Sequence, residues 1–266
     1  MINLIKNETF KVFRLKKLYI FMAIGFVLLI INCIEFLVLK SFSEQVPPGL
    51  IDMLSNLSGQ SFPMMMLPGL AQLIIIFMAI LLADIISDEY KNGTLKLSLL
   101  RQVSRADLLI SKIVAMFITV AVFLGFTMIV SYIAGTLFFG WGDKTVINNE
   151  TFETGKGLIL TFQSYLITLF PYLGFGMLIV FISVLLTSMG ATIGISLGTM
   201  IVLSIVELIE QVKDYSIYHQ MNYFYTNFIS GFKWGSTFLD ILIIMAYIAI
   251  PYIGSVLVLK NKDILS

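Results

Sequence analysis

Asp88-Glu89-Tyr90-Lys91-Asn92-Gly93-Thr94-Leu95-Lys96, continuing through Arg101-Gln102-Val103-Ser104-Arg105 to Lys112, is a charged island set between two long apolar runs. What lies on either side of it decides the fold. A helix of about 20 apolar residues crosses the roughly 30 Å hydrocarbon core of a bilayer. Six stretches reach that length: Leu18 to Leu39, Leu67 to Ile86, Ile113 to Phe139, Leu158 to Leu186, Ala191 to Ile209 and Phe238 to Leu259. Between the fourth and fifth stand only Thr187-Ser188-Met189-Gly190, which read as a tight turn joining two spans. The chain is therefore predicted to be an all-α, polytopic membrane protein with a single transmembrane domain over residues 1–266.

Composition supports this reading. Hydrophobic residues make up 58% of the 266 and charged residues 12%, about half the share of roughly 25% in soluble domains. Mean hydropathy is +0.96. The formal net charge of +1 says little, because in a membrane chain the placement of charge matters more than its sum. With the N-terminus inside, twelve of the 17 lysines and arginines fall on inner segments; only Lys40, Lys144, Lys156, Lys213 and Lys233 fall outside. That bias predicts cytoplasmic termini on both ends.

The chemistry these residues exclude is as informative. One cysteine, Cys33, and one histidine, His219, make a disulfide and a His/Cys metal site improbable, so no metal is assigned. No Gly-x-x-x-x-Gly-Lys-Ser/Thr loop occurs, so the chain has no phosphate cradle of its own. No Ser/His/Asp constellation can be assembled, and no catalytic residue is assigned. The scarcity of paired charges at mid-membrane disfavours a secondary transporter.

Residues 1–17 read as an amphipathic elbow helix: Ile2, Ile5, Thr9, Val12 and Phe13 share a face about 100° wide, Lys11 and Arg14 point away, and Lys6 and Lys17 flank. The plainer alternative is a basic leader that only sets topology. Gly140 to Gly157 reads as a polar, irregular connection. Residues 212–235 hold Tyr215, Tyr218, Tyr223, Phe224, Tyr225, Phe228, Phe232 and Trp234, an extracellular aromatic segment. A headgroup-level belt is the bland reading of it, and a gating surface the sharper one.

Within the island, Asn92-Gly93 can end span two and Thr94 can cap a short helix with Leu95, Leu99 and Val103 on one face. Ser104-Arg105-Ala106-Asp107 then reads as a capping box opening span three. A solvated loop is the alternative. Glu35, one turn from Lys40, and Asp240 sit toward the outer ends of their spans, where each suits a translocation path or the interface. Asp84 is expected to meet water, Lys91 or another basic group. Gly190, Gly194 and Gly198 form a flat stripe on span five that allows close approach by span two or by a second subunit. Pro68, Pro171 and Pro251 can kink spans two, four and six.

Glu89-x-x-x-Gly93-Thr94-Leu95-Lys96, with Leu99-Leu100-Arg101-x-Val103-Ser104-Arg105 and Lys112, resembles the segment after the second span in ABC-2 type transporter permeases. The basic amphipathic start, the six spans and Ser188-Met189-Gly190-Ala191 before span five extend the resemblance over most of the chain. Gln102 departs from it, standing where many relatives have proline. The resemblance implies the ABC-2 exporter fold, with residues 88–107 as a cytosolic coupling segment. Glu89, Gly93, Thr94, Leu95, Leu99, Arg101 and Arg105 would dock an ABC ATPase subunit. It further implies two ATPase copies holding ATP and Mg, a second permease subunit, lipid surroundings in a bacterial plasma membrane, and no nucleic-acid partner. Such proteins export amphiphilic substrates, whether peptides, lantibiotics or drugs. A non-transporting sensor or assembly partner that uses residues 88–107 to bind a protein is the alternative.

Overall fold

The computed structural model describes residues 1–41, 57–91, 104–147, 150–186, 188–229 and 234–261. Among them, six helices are long and apolar enough to cross a membrane. Helix is the form such runs must take, since hydrocarbon offers no partner to an unpaired peptide group. An N-terminal helix, α1 (Ile2–Arg14), precedes the first span, α2 (Lys16–Ser41). A short α3 (Phe62–Met66) leads through a turn to the second, α4 (Leu70–Leu82), whose course continues as a π-helical segment, Ala83–Asp88, and one last turn, Glu89–Lys91. The third is α5 (Arg105–Phe139), followed by a hairpin of β1 (Lys144–Ile147) and β2 (Glu150–Glu153). Then come α6 (Thr154–Leu185), α7 (Met189–Val206), the short α8 (Ile217–Tyr223) and α9 (Trp234–Asn261).

Two spans form the centre. In α4 with its π-helical extension 72% of the most apolar window is buried, and in α6 67%, against 17%, 11% and 17% in α2, α7 and α9. The outer helices come close where a glycine faces a large side chain. A Cβ on Gly254 of α9 would stand 2.8 Å from the Phe181 ring of α6, and one on Gly25 of α2 3.3 Å from Phe123 of α5. Several buried hydroxyls along the spans close on carbonyls of the preceding turn, as when Thr168 donates to Ser164 O (2.7 Å) and Ser255 to Pro251 O (2.7 Å). Pro171 and Pro251 lie inside α6 and α9, but Pro68 does not kink the second span. It stands in the turn between α3 and α4, where the ring's missing N–H costs no helical bond.

At 35 residues α5 is about 52 Å long, well beyond a bilayer core. It starts two turns before the apolar run and carries Arg105, Asp107 and Lys112 out of the hydrocarbon. Ser104 is its N-cap: the hydroxyl accepts from Asp107 N (3.0 Å) and donates to the Asp107 carboxylate (2.7 Å).

The connection after α5 carries two paired strands and the first turn of α6, which corrects the irregular reading of residues 140–157. Thr145, Val146 and Ile147 favour a strand, and they pair antiparallel with β2 in the register Thr145↔Phe152 and Ile147↔Glu150. The stretch before α3 supplies what this isolated hairpin lacks. Thr145 donates to Gln60 Oε1 (2.8 Å), Val146 N to Ser61 Oγ (2.9 Å), and Gln60 Nε2 to Gly142 O (2.6 Å). Gly142 must be glycine there: its φ is 81° and a Cβ would stand 2.6 Å from the Ser58 Cβ.

The aromatic segment divides in two. Tyr218, Phe224 and Tyr225 are buried with Ile217 and Met221, and Gln72 of α4 donates to the Tyr218 hydroxyl (3.2 Å). Among the described aromatic residues of the segment, Tyr215, Tyr223 and Trp234 are exposed in the manner of a headgroup belt. The segment plugs one end of the bundle as well as fringing it.

Candidate functional site

At the opposite end, α1 lies across the first turns of α5 and beside the end of the π-helical segment, and four charged side chains close into a ring. Glu8 and Lys11 leave one face of α1, three residues apart. Lys112 comes from α5, and Glu89 from the turn after the π-helical segment. Lys11 Nζ binds Glu8 Oε1 (2.7 Å) and Glu89 Oε1 (3.1 Å); Lys112 Nζ binds Glu8 Oε2 (2.8 Å) and Glu89 Oε2 (2.6 Å). Each carboxylate oxygen thus faces an ammonium, and the charges sum to zero.

Burial makes this arrangement consequential. The Glu8 and Lys112 side chains are each 2% exposed, Glu89 is 19% exposed, and Lys11 closes the ring on the solvent side at 40%. Burial alone raises the Glu8 pKa, but Lys112 and Lys11 outweigh it and hold the carboxyl below its ordinary value. For Lys11, burial works to lower the pKa, and the two glutamates outweigh it and raise it. With every oxygen already facing a cation, the ring is a clasp between helices, not a metal site or an acid–base pair.

Two further contacts tie the same end together. Lys17, at the start of α2, binds Asp84 through both carboxylate oxygens (2.8 and 2.6 Å), so the basic partner expected for Asp84 is Lys17. The Ser87 hydroxyl meets Ser183 O (3.2 Å) and Thr192 Oγ1 (2.8 Å), joining the π-helical segment to the ends of α6 and α7.

Of the predicted docking residues, Glu89 is in the ring. Arg105 Nη1 donates to the carbonyls of Leu259 and Lys260, the last turn of α9, where a cation also meets the negative end of the helix dipole. Gly93, Thr94, Leu95, Leu99 and Arg101 lie outside the described residues. Glu35 is exposed on the flank of α2, far along the chain from the ring. Asp240 sits at the other end of the bundle, where Oδ1 accepts from Gln220 Nε2 (2.9 Å) and Oδ2 from Asn227 Nδ2 (2.7 Å). The two acids proposed for a path share no partner among the described residues. Gly190, Gly194 and Gly198 face outward with nothing of the described chain near them, whereas α7 meets the second span through Thr192. Span two is therefore not the neighbour of that stripe.

Glu8 is the site residue that sequence reasoning missed, and Lys11, on the solvent side as expected, is the one whose partners it did not foresee. The apolar face of α1 includes Val12, and Glu8 sits one turn before it on the same buried side. One signal was available. Glu8 is the lone acid among the first 17 residues, which hold five basic ones.

No curated protein matches the chain. A family model does match, over residues 19–265, which takes in Glu89 and Lys112 and starts just after α1. By that match the chain belongs to the family described as "Protein of unknown function (DUF2705)".

Proposed function

We propose that this protein is the membrane-spanning permease subunit of an ABC exporter, driven by a separate ATPase that docks on residues 88–107. The observation that carries the reading is how the borders of that segment are held. On one side Glu89 is clasped to α1 and α5 by the ring. On the other, Ser104 caps α5 and Arg105 grips the end of α9. A push on residues 92–103 would reach α1, the second span, α5 and α9 at once, as a coupling element between a soluble motor and a bundle requires. A loop that merely joined two spans would need neither anchor.

In this reading α1, Glu89, Arg105 and the end of α9 face the cytoplasm of a bacterial cell. They gather at one end of the bundle, and twelve of 17 basic residues belong to that side. ATP and Mg reside in two ATPase copies, a second permease subunit completes the membrane core, and the cargo is amphiphilic. Coexpression with a candidate ABC ATPase from the same organism, followed by affinity purification, tests the proposal. The wild type should bring the ATPase down, and Leu95→Asp/Leu99→Asp should release it while still inserting in the membrane. Undiminished capture by that double variant would refute the docking assignment.

A further inference from the structure

The plugged end of the bundle carries a second polar site, unconnected with the charge ring. A cavity of about 280 Å³ opens between the segment after α7 and the start of α9, with Asp214, Tyr215, His219, Tyr223, Phe224 and Asp240 in its wall. Its size, just under the roughly 300 Å³ where ligand pockets begin, suits a head group or one side chain and excludes a whole peptide.

The wall has a definite sign. Among the described residues it holds two carboxylates and neither lysine nor arginine. Asp240 is fixed by Gln220 and Asn227, which are neutral, so both oxygens are oriented without a cation from the described residues. No described lysine or arginine pairs with it. The imidazole of His219 is held between Glu207 (3.3 Å) and Asp214 (3.6 Å) and lies 4.7 Å from the Tyr223 ring, centroid to centroid. Tyr215 and Tyr223 are both exposed at the cavity; His219 lies against Tyr223, and Tyr215, the more exposed, has no ring packed on it among the described residues.

Oriented carboxylate beside an exposed aromatic ring is the chemistry that recognises an organic cation: ion pairing with the acid, cation–π contact with the ring. A bare metal ion fits poorly, because amide N–H groups already point at both Asp240 oxygens. An anion would meet two carboxylates. We propose that this cavity binds an organic ammonium group, of the kind a lysine side chain of a cationic peptide carries. The inference is independent of the exporter reading, since it concerns only what this end of the bundle holds.

The test uses full-length protein in micelles of an uncharged maltoside detergent, which carries no ammonium group, with pentane-1,5-diamine as probe and pentane-1,5-diol as its neutral match, read by saturation-transfer NMR. Saturation should pass to the diamine and not to the diol. Asp240→Asn should weaken diamine binding about tenfold, the loss of one close charge pair, and Asp214→Asn and Tyr223→Leu severalfold. Asp240 accepts two hydrogen bonds, so its variant needs a check of folding. Asp214 is 68% exposed, and its variant decides the matter if Asp240→Asn does not fold. No transfer to the diamine, equal transfer to diamine and diol, or wild-type affinity in both Asp variants would overturn the proposal.

Discussion

Lys112→Met is the sharpest probe of the ring. The substitution keeps most of the side chain's apolar bulk and removes the ammonium that joins Glu8 Oε2 to Glu89 Oε2. Breaking a buried pair by deleting one partner costs about 3–5 kcal/mol, because the other charge is left uncompensated. Two features place this case near the lower bound: Lys11 still reaches Glu8 Oε1, and Glu89, at 19% exposure, can turn to water. A loss of about 3 kcal/mol at roughly 2–4 °C per kcal/mol lowers Tm by about 6–12 °C. Glu8→Gln added to Lys112→Met removes the stranded charge and should restore more than half of that. Scanning fluorimetry of the purified protein in detergent reads both. A Lys112→Met variant that melts within 1 °C of wild type, or a double variant that melts at the sum of its parts, would show that the four groups do not form one ring.

Three further outcomes follow from the same geometry. The lowered Glu8 pKa contributes stability that is complete above its ordinary value of 4.5 and disappears as pH falls through the folded-state value, and the raised Lys11 pKa contributes stability that is complete below 10.5 and disappears as pH rises beyond it. The Tm difference between wild type and Glu8→Gln should therefore be flat between about pH 5 and 10, and a step in that difference between pH 6 and 8 would contradict the assignment. Lys17→Ala breaks a pair whose lysine is 45% exposed, so it should cost less than about 1 kcal/mol and hardly move Tm; a loss like that of Lys112→Met would be unexplained. Gly59→Ala puts a Cβ 2.9 Å from the Thr136 backbone and should destabilise by about 1–3 kcal/mol, whereas Gly194→Ala meets open space and should not. Equal melting of these two variants would argue against the packing of the stretch before α3 on α5.

The spans were legible because a single property, twenty consecutive apolar residues, marks them, and no tertiary contact can reverse it. The Ser104 cap was legible for a similar reason: its partner lies three residues away. The ring was not, since its contacts join residues 78 and 104 positions apart and nothing local announces which acid meets which base. A helical wheel of α1 that counted apolar residues alone left Glu8 out of the buried face, where an ion pair with Lys112 holds it. The hairpin escaped notice for want of its outside partners, Gln60 and Ser61, which complete it from another part of the chain. Aromatic density in residues 212–235 signalled an interface but not its direction, as Tyr218 and Tyr223 differ in burial while sharing a composition.

Contact between residues 88–107 and an ATPase is the centre of the account, and photo-crosslinking measures it most directly. A photoreactive amino acid at position 98, in membranes that contain both proteins, should give one crosslinked product of permease and ATPase on illumination, and the same group at position 148 should give none. Crosslinking from position 148 but not from 98, or from neither while the two proteins are both present, would contradict the docking segment and the orientation together.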